Sequence, residues 1–210
     1  MTNDNNQQDK KTDDGIDRRG FLKCMAWVGT GLVWTFNGGI PTSRVFGADS
    51  STAAPVAGDF SFVQISDSHI GFAKDPNKDV VGTLRETIAR INGLPTRPEF
   101  LLHTGDLTHL SKPDEFDTVA QVIKETKTGQ AFYVPGEHDF FTDDGKQYLD
   151  RYGKGTLGTG WQSFDYKGVH FVGLVNVANL KPGGLGSLGD EQIAWLEKDL
   201  VGKGDSTPVV

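Results

Sequence analysis

Three short stretches combine carboxylates with imidazoles: "SDSH" with Asp67 and His69, "HTGDLTH" with Asp106, and "YVPGEHDF" with Glu137, His138 and Asp139. Mixed oxygen and nitrogen donors suit iron, manganese or zinc better than calcium alone. Two divalent cations about 3.5–4 Å apart repel, and a bridging carboxylate such as Asp106 offsets that repulsion. Gly105, just before it, allows the sharp turn that aims Asp106 into a cleft. His138 beside such ions is placed to protonate a leaving alkoxide, and Asp139 to orient it or raise its pKa. Each stretch alone is weak, since Asp-x-His recurs by chance and Gly-Asp marks many turns. Their weight comes from what precedes them.

Each stretch follows an apolar run. Phe60 to Ile65, "FSFVQI", reads as a strand ending in "SDSH", and Phe100 to Leu102 reads as a strand leading into "HTGDLTH". "AFYV", from Ala131, reads as the strand that delivers "GEHDF". Val80, Val81, Leu84, Ile88 and Ile91 recur at helical spacing between the first two strands. A second helix is signalled by Ser111 as N-cap, Pro113 and Asp114 in the first turn, and Phe116, Val119, Ala120 and Ile123 on one face. Alternating strands and helices imply right-handed parallel crossovers, which bring the carboxyl ends of the strands to one edge where ligands bind. Further on, "WQSFDYKGVHFVGLVNV" alternates about Lys167-Gly168 as a hairpin, a helix is expected at about Asp190 to Leu200, and "STPVV" begins another apolar strand.

The first 48 residues read as an address. A polar opening is followed by "DRRGFLK", in which Arg18 and Arg19 precede a weakly apolar, Gly-containing stretch through Ile40, and this resembles a twin-arginine export signal. Asp17 stands where that pattern usually has Ser or Thr. The expectation is an exported, periplasmic or extracellular protein that meets the twin-arginine export machinery and carries no stable membrane anchor, because Lys23 and Asn37 interrupt the apolar run. Residues 49–58 read as a linker and residues 59–210 as one domain. A net charge of −7 argues against a nucleic-acid-binding surface, and Cys24, the only cysteine, rules out an intrachain disulfide and a cysteine zinc site. A serine hydrolase is a poor alternative, since no G-x-S-x-G elbow is present.

"DSH", "GDL" and "GEHD", in this order and on these elements, resemble the first three motifs of the calcineurin-like metallophosphoesterases. The resemblance covers about Phe60 to Val210 and extends to the "LGDEQIAWLEKDL" helix. It implies a four-layer α/β/β/α sandwich and two divalent metal ions (Mn, Fe or Zn) whose activated hydroxide hydrolyses a phosphate ester. Asp67 and His69 would bind the first ion, Asp106 would bridge, Glu137 would bind the second, and His138 would be the acid. The family usually has asparagine where Glu137 stands. A glutamate there makes the site more anionic and favours Mn²⁺ and less charged substrates, so diesters over monoesters. The family's later histidine motifs have no counterpart here, so the chain reads as truncated at its C-terminal side. The alternative is a catalytically incompetent metal-binding or structural domain that keeps the fold's first half. His170 reads as structural, while His103 and His109 flank the "TGD" loop as supporting residues. Specificity is expected from Phe72 to Lys78, Phe140 to Tyr148 and Asn179 to Gly189.

Overall fold

The computed structural model describes residues 31–46, 60–180, 186–204 and 206–210. The Arg18-Arg19 pair, Cys24 and the linker at 49–58 lie outside them. No helix among the described residues is long and apolar enough to cross a membrane.

Among the described residues, seven strands and four α-helices follow in chain order: β1 (Gly31–Asn37), β2 (Ile40–Phe46), β3 (Phe60–Ile65), α1 (Val80–Asn92), β4 (Phe100–His103), α2 (Pro113–Ile123), β5 (Gln130–Tyr133), α3 (Lys146–Tyr152), β6 (Gln162–Tyr166), β7 (Val169–Gly173) and α4 (Asp190–Asp199). The main sheet runs β2-β1-β3-β4-β5, with β3, β4 and β5 parallel as the crossovers require. β6 and β7 form a separate antiparallel pair about Lys167 and Gly168, both at positive φ. The final segment adds to β7, where His170 N donates to Pro208 O and Val210 N to His170 O.

Strand alternation sorts the side chains into layers. Val63, Ile65 and Leu101 pack with Leu84, Ile88, Phe116 and Val119 of the helices. Phe60, Phe62 and Phe100 point the other way, into an aromatic core shared with Val169 and Phe171. The outer face of the β6–β7 pair carries Ser163, Asp165 and His170, which meet Asp199 and Lys203 at the end of α4. The order helix, sheet, sheet, helix is the expected four-layer α/β sandwich.

The clamp between α4 and the hairpin is polar and pH-sensitive. Asp199 accepts from Ser163 Oγ at 2.6 Å and faces His170 Nε2 at 2.6 Å. Desolvation pushes the Asp199 carboxyl up, but these hydrogen bonds outweigh it and hold it below its ordinary value. A carboxylate depressed on folding adds stability above its unfolded value, near 4, and loses it as pH falls through the folded value. Asp199→Asn is therefore expected to flatten the acid limb of unfolding below about pH 4. Urea midpoints against pH check this, and parallel curves for the two proteins would contradict it.

Three elements depart from the sequence reading. Residues 31–46, within the stretch assigned to the export segment, form the β1–β2 hairpin, and β1 pairs antiparallel with β3. The hairpin turns at Gly38 and Gly39, both at positive φ, a two-residue loop that matches strand twist. Residues 146–148, the end of the expected specificity loop Phe140 to Tyr148, open α3, whose Tyr148 is fully buried. Ser111 is not an N-cap. α2 starts at Pro113 after Lys112, and Glu115 Oε2 accepts the Leu110 and Lys112 amides instead.

Candidate metal centre

Chain direction forces three loops to one edge of the sheet, following β3, β4 and β5. The first two are zipped together: Asp67 N donates to Gly105 O, His69 N to Asp106 O and Ile70 N to Leu107 O, each at 3.0 Å. This pairing holds Asp67, His69 and Asp106 at φ of 57°, 40° and 51°. Non-glycine residues in this region are strained, and such strain persists where surrounding structure over-determines it. Three strained residues that are also the candidate ligands mark the site independently of their chemistry.

The third loop closes on the second with glycine on both sides. A Cβ at Gly105 would lie 2.9 Å from Gly136 N, and one at Gly136 would lie 2.1 Å from Asp106 Oδ1. The close approach lets His138 N donate to Asp106 Oδ1 at 2.9 Å, which leaves Oδ2 facing the cluster.

Asp67, His69 and Asp106 offer one ligand atom each within 4.8 Å of one another. His69 Nε2 stands 3.6 Å from Asp67 Oδ1 and 3.6 Å from Asp106 Oδ2. That is long for a hydrogen bond. Two ligands each about 2.1 Å from a common ion at a tetrahedral angle stand about 3.4 Å apart, so these residues fit a divalent ion. The charges also suit one. Burial lowers the His69 pKa, but the two carboxylates outweigh it and raise it, and Asp67 is lowered against its own desolvation by His69 and Ser66. Asp106 is raised by burial, so its charge lacks sufficient compensation from the protein alone.

Glu137, expected to ligate a second ion, is exposed at the first position of a 3-10 turn, Glu137–Phe140, and belongs to neither metal-capable group found among the described residues. Asp139, expected to orient His138, has a different role. It is wholly buried and accepts from Leu107 N, Thr108 N, Thr108 Oγ1 and Gly136 N at 2.9 to 3.1 Å. Both oxygens are taken, so it braces the second loop against the third, and burial raises its pKa despite those bonds. The His138 ring is set by another partner: Nδ1 lies 2.7 Å from the His109 carbonyl and donates to it, leaving Nε2 free. Ser111 Oγ donates to His138 O at 2.6 Å and accepts from Phe141 N, fixing the backbone beyond.

His103 supports the first loop. Its Nε2 is 3.0 Å from Ser68 Oγ, whose proton goes to Leu107 O. Burial pushes its pKa down to about 4, so it is neutral at pH 7. His109 was read as a supporting residue and lies closer to the chemistry than that. With His69 and His138 it forms a second group whose ligand atoms lie within 4.8 Å of one another. The "GDLTH" spacing carried the signal, because His109 N donates to Ile70 O and extends the same zip by two residues.

The probable glycerophosphodiester phosphodiesterase GpdQ of Arcobacter nitrofigilis is 29% identical over 146 residues, covering 66% of this chain and 50% of that protein. The glycerophosphodiester phosphodiesterase GpdQ of Enterobacter lignolyticus is 28% identical over 155 residues, covering 70% of this chain and 53% of that protein. The chain thus spans about half the length of the curated relatives it matches. Purple acid phosphatase PPD1 from yellow lupin (Lupinus luteus) is similar in structure at a TM-score of 0.48 and 16% identity, over 71% of this chain and 32% of that one. The model of the calcineurin-like phosphoesterases matches residues 60–204, which include all three loops, the parallel strands β3, β4 and β5 and the β6–β7 hairpin. The chain belongs to the calcineurin-like phosphoesterase family.

Proposed function

We propose that this chain carries the metal-binding half-site of a phosphodiester hydrolase, and that His138 delivers the proton to the leaving alcohol. The observation that carries the reading is the strained trio Asp67, His69 and Asp106, whose spacing matches ligands of one divalent ion. The curated relatives named as glycerophosphodiester phosphodiesterases support a diester of a small alcohol as substrate. A divalent ion seated there supplies a water of lowered pKa and Lewis-acid stabilisation of the phosphoryl oxygens.

The chain's own residues do the rest. Asp67 and Asp106 Oδ2 supply negative charge, and His69 Nε2 supplies the neutral donor once its proton is released. Asp106 Oδ1 accepts from His138 N, which leaves its Oδ2 as the oxygen that would be offered to a metal ion. If a second ion is held, Glu137, exposed at the start of the 3-10 turn, is the carboxylate that would ligate it. His138 holds its Nδ1 proton on the His109 carbonyl, which aims Nε2 as the atom that donates to the leaving oxygen. The Arg18-Arg19 segment is proposed to export the protein, and cell fractionation of an Arg18→Lys, Arg19→Lys variant tests that step.

His138→Gln is expected to lower kcat about 10²- to 10⁴-fold for an alkyl diester, whose alkoxide needs a proton, and much less for a nitrophenyl diester. Equal losses on both substrates would exclude His138 as the acid.

A further inference from the structure

We propose that His69, His109 and His138 form a second, nitrogen-only cation site, selective for ions such as Zn²⁺ and Cu²⁺, which silences the proposed hydrolysis when filled. The three imidazoles come from the first, second and third loops, and their ligand atoms lie within 4.8 Å of one another. Ring centroids are 4.8 Å apart for His69 and His138, 5.1 Å for His109 and His138, and 6.1 Å for His69 and His109. Two imidazoles bound about 2.05 Å from one ion at a tetrahedral angle place their centroids about 5 Å apart. The nitrogens needed are also unused. Nδ1 of His69 and Nδ1 of His109 are buried without a hydrogen-bond partner, and the His109 carbonyl takes His138 Nδ1, leaving Nε2. Buried orphan nitrogens are rare, and here two of them fall in one cluster.

The two sites differ in chemistry and share one residue. Asp67, His69 and Asp106 offer two carboxylates and one imidazole, which favours hard ions such as Mn²⁺, whereas three imidazoles favour zinc and copper. His69 belongs to both, with Nε2 facing the carboxylates and Nδ1 unpartnered, so filling both at once would require its ring to lose both protons, which sets the two sites against each other. An ion among the imidazoles also occupies His138 Nε2, the atom assigned above to the proton. The inhibitory consequence rests on that assignment, while the site itself does not.

The test is direct. The metal-free 210-residue protein receives one equivalent of Cu²⁺, and pulsed EPR counts the coordinated imidazoles. Three are expected for the wild type and two for His109→Phe, with Zn²⁺ affinity falling at least tenfold in the variant and Mn²⁺ affinity unchanged. Retained Mn²⁺ binding shows that the variant folds, and the wild-type spectrum stands alone if it does not. A single imidazole in the wild type, or a count and Zn²⁺ affinity that His109→Phe leaves unaltered, overturns the site. Three imidazoles without zinc inhibition of hydrolysis would keep the site and overturn its inhibitory role.

Discussion

Asp106→Asn is expected to reduce metal-dependent phosphodiester hydrolysis at least about a thousandfold, a loss of about 4 kcal/mol of transition-state stabilisation, while leaving the fold intact. The substitution keeps a planar side chain whose oxygen can still accept from His138 N, as Asp106 Oδ1 does at 2.9 Å. It removes the anion at Oδ2, the atom that faces His69 Nε2. Burial already raises the Asp106 pKa without an ion, so the charge is a burden on the metal-free protein. Metal-free Asp106→Asn should then unfold at a urea midpoint equal to or above that of the metal-free wild type, and the order should reverse once Mn²⁺ is added. Steady-state kinetics and urea titrations with and without Mn²⁺ check both halves. A variant that loses stability and activity together would mean that Asp106 is structural.

Asp139→Ala is expected to show the opposite pattern, a loss of about 4 kcal/mol or more in stability. Alanine at this wholly buried position strands the amides of Leu107, Thr108 and Gly136 and the Thr108 hydroxyl. Each stranded buried donor costs about 1–3 kcal/mol, and the penalties are not fully additive. A loss of this size is a large part of the total stability of a domain. Asp139→Asn keeps one acceptor oxygen but turns an amide group toward donors, so about half the loss is expected. Metal affinity should fall in both, because Gly136 and Leu107 flank the loops that aim Asp106 and His138. Urea unfolding of the metal-free proteins measures the effect. A change under about 1 kcal/mol for alanine would contradict the brace.

Much of the fold was legible because its signals are local. Short apolar runs at Phe60, Phe100 and Ala131 marked the parallel strands, helical spacing from Val80 and from Pro113 marked the crossovers, and alternation about Lys167-Gly168 marked the hairpin. The β1–β2 hairpin was missed although Asn37-Gly38-Gly39 is a strong turn signal, because the paired arginines upstream turned the same apolar residues into a targeting segment. α3 was missed because "KQYLDRY" is short and polar, and it forms only because Tyr148 reaches a core built by distant elements.

The site was legible in composition and less so in role. Asp67, His69 and Asp106 converge because parallel strands leave no alternative, and topology can be read from pattern. Asp139 and His138 are neighbours in sequence, yet the 3-10 turn sends one into the core and the other to the cleft. Ser111 was read as a cap because a cap is a local device, whereas its partners lie 27 and 30 residues away. His109 enters the cluster through a pairing of two loops that no single stretch encodes.

The most direct measurement is Mn²⁺ binding to the 210-residue chain, followed by EPR of free Mn²⁺ for the wild type and for Asp67→Ala and Asp106→Asn. At least one ion bound per chain, lost in both variants, is the expected result. No binding by the wild type, or binding that survives both substitutions, would contradict a metal centre built on Asp67, His69 and Asp106.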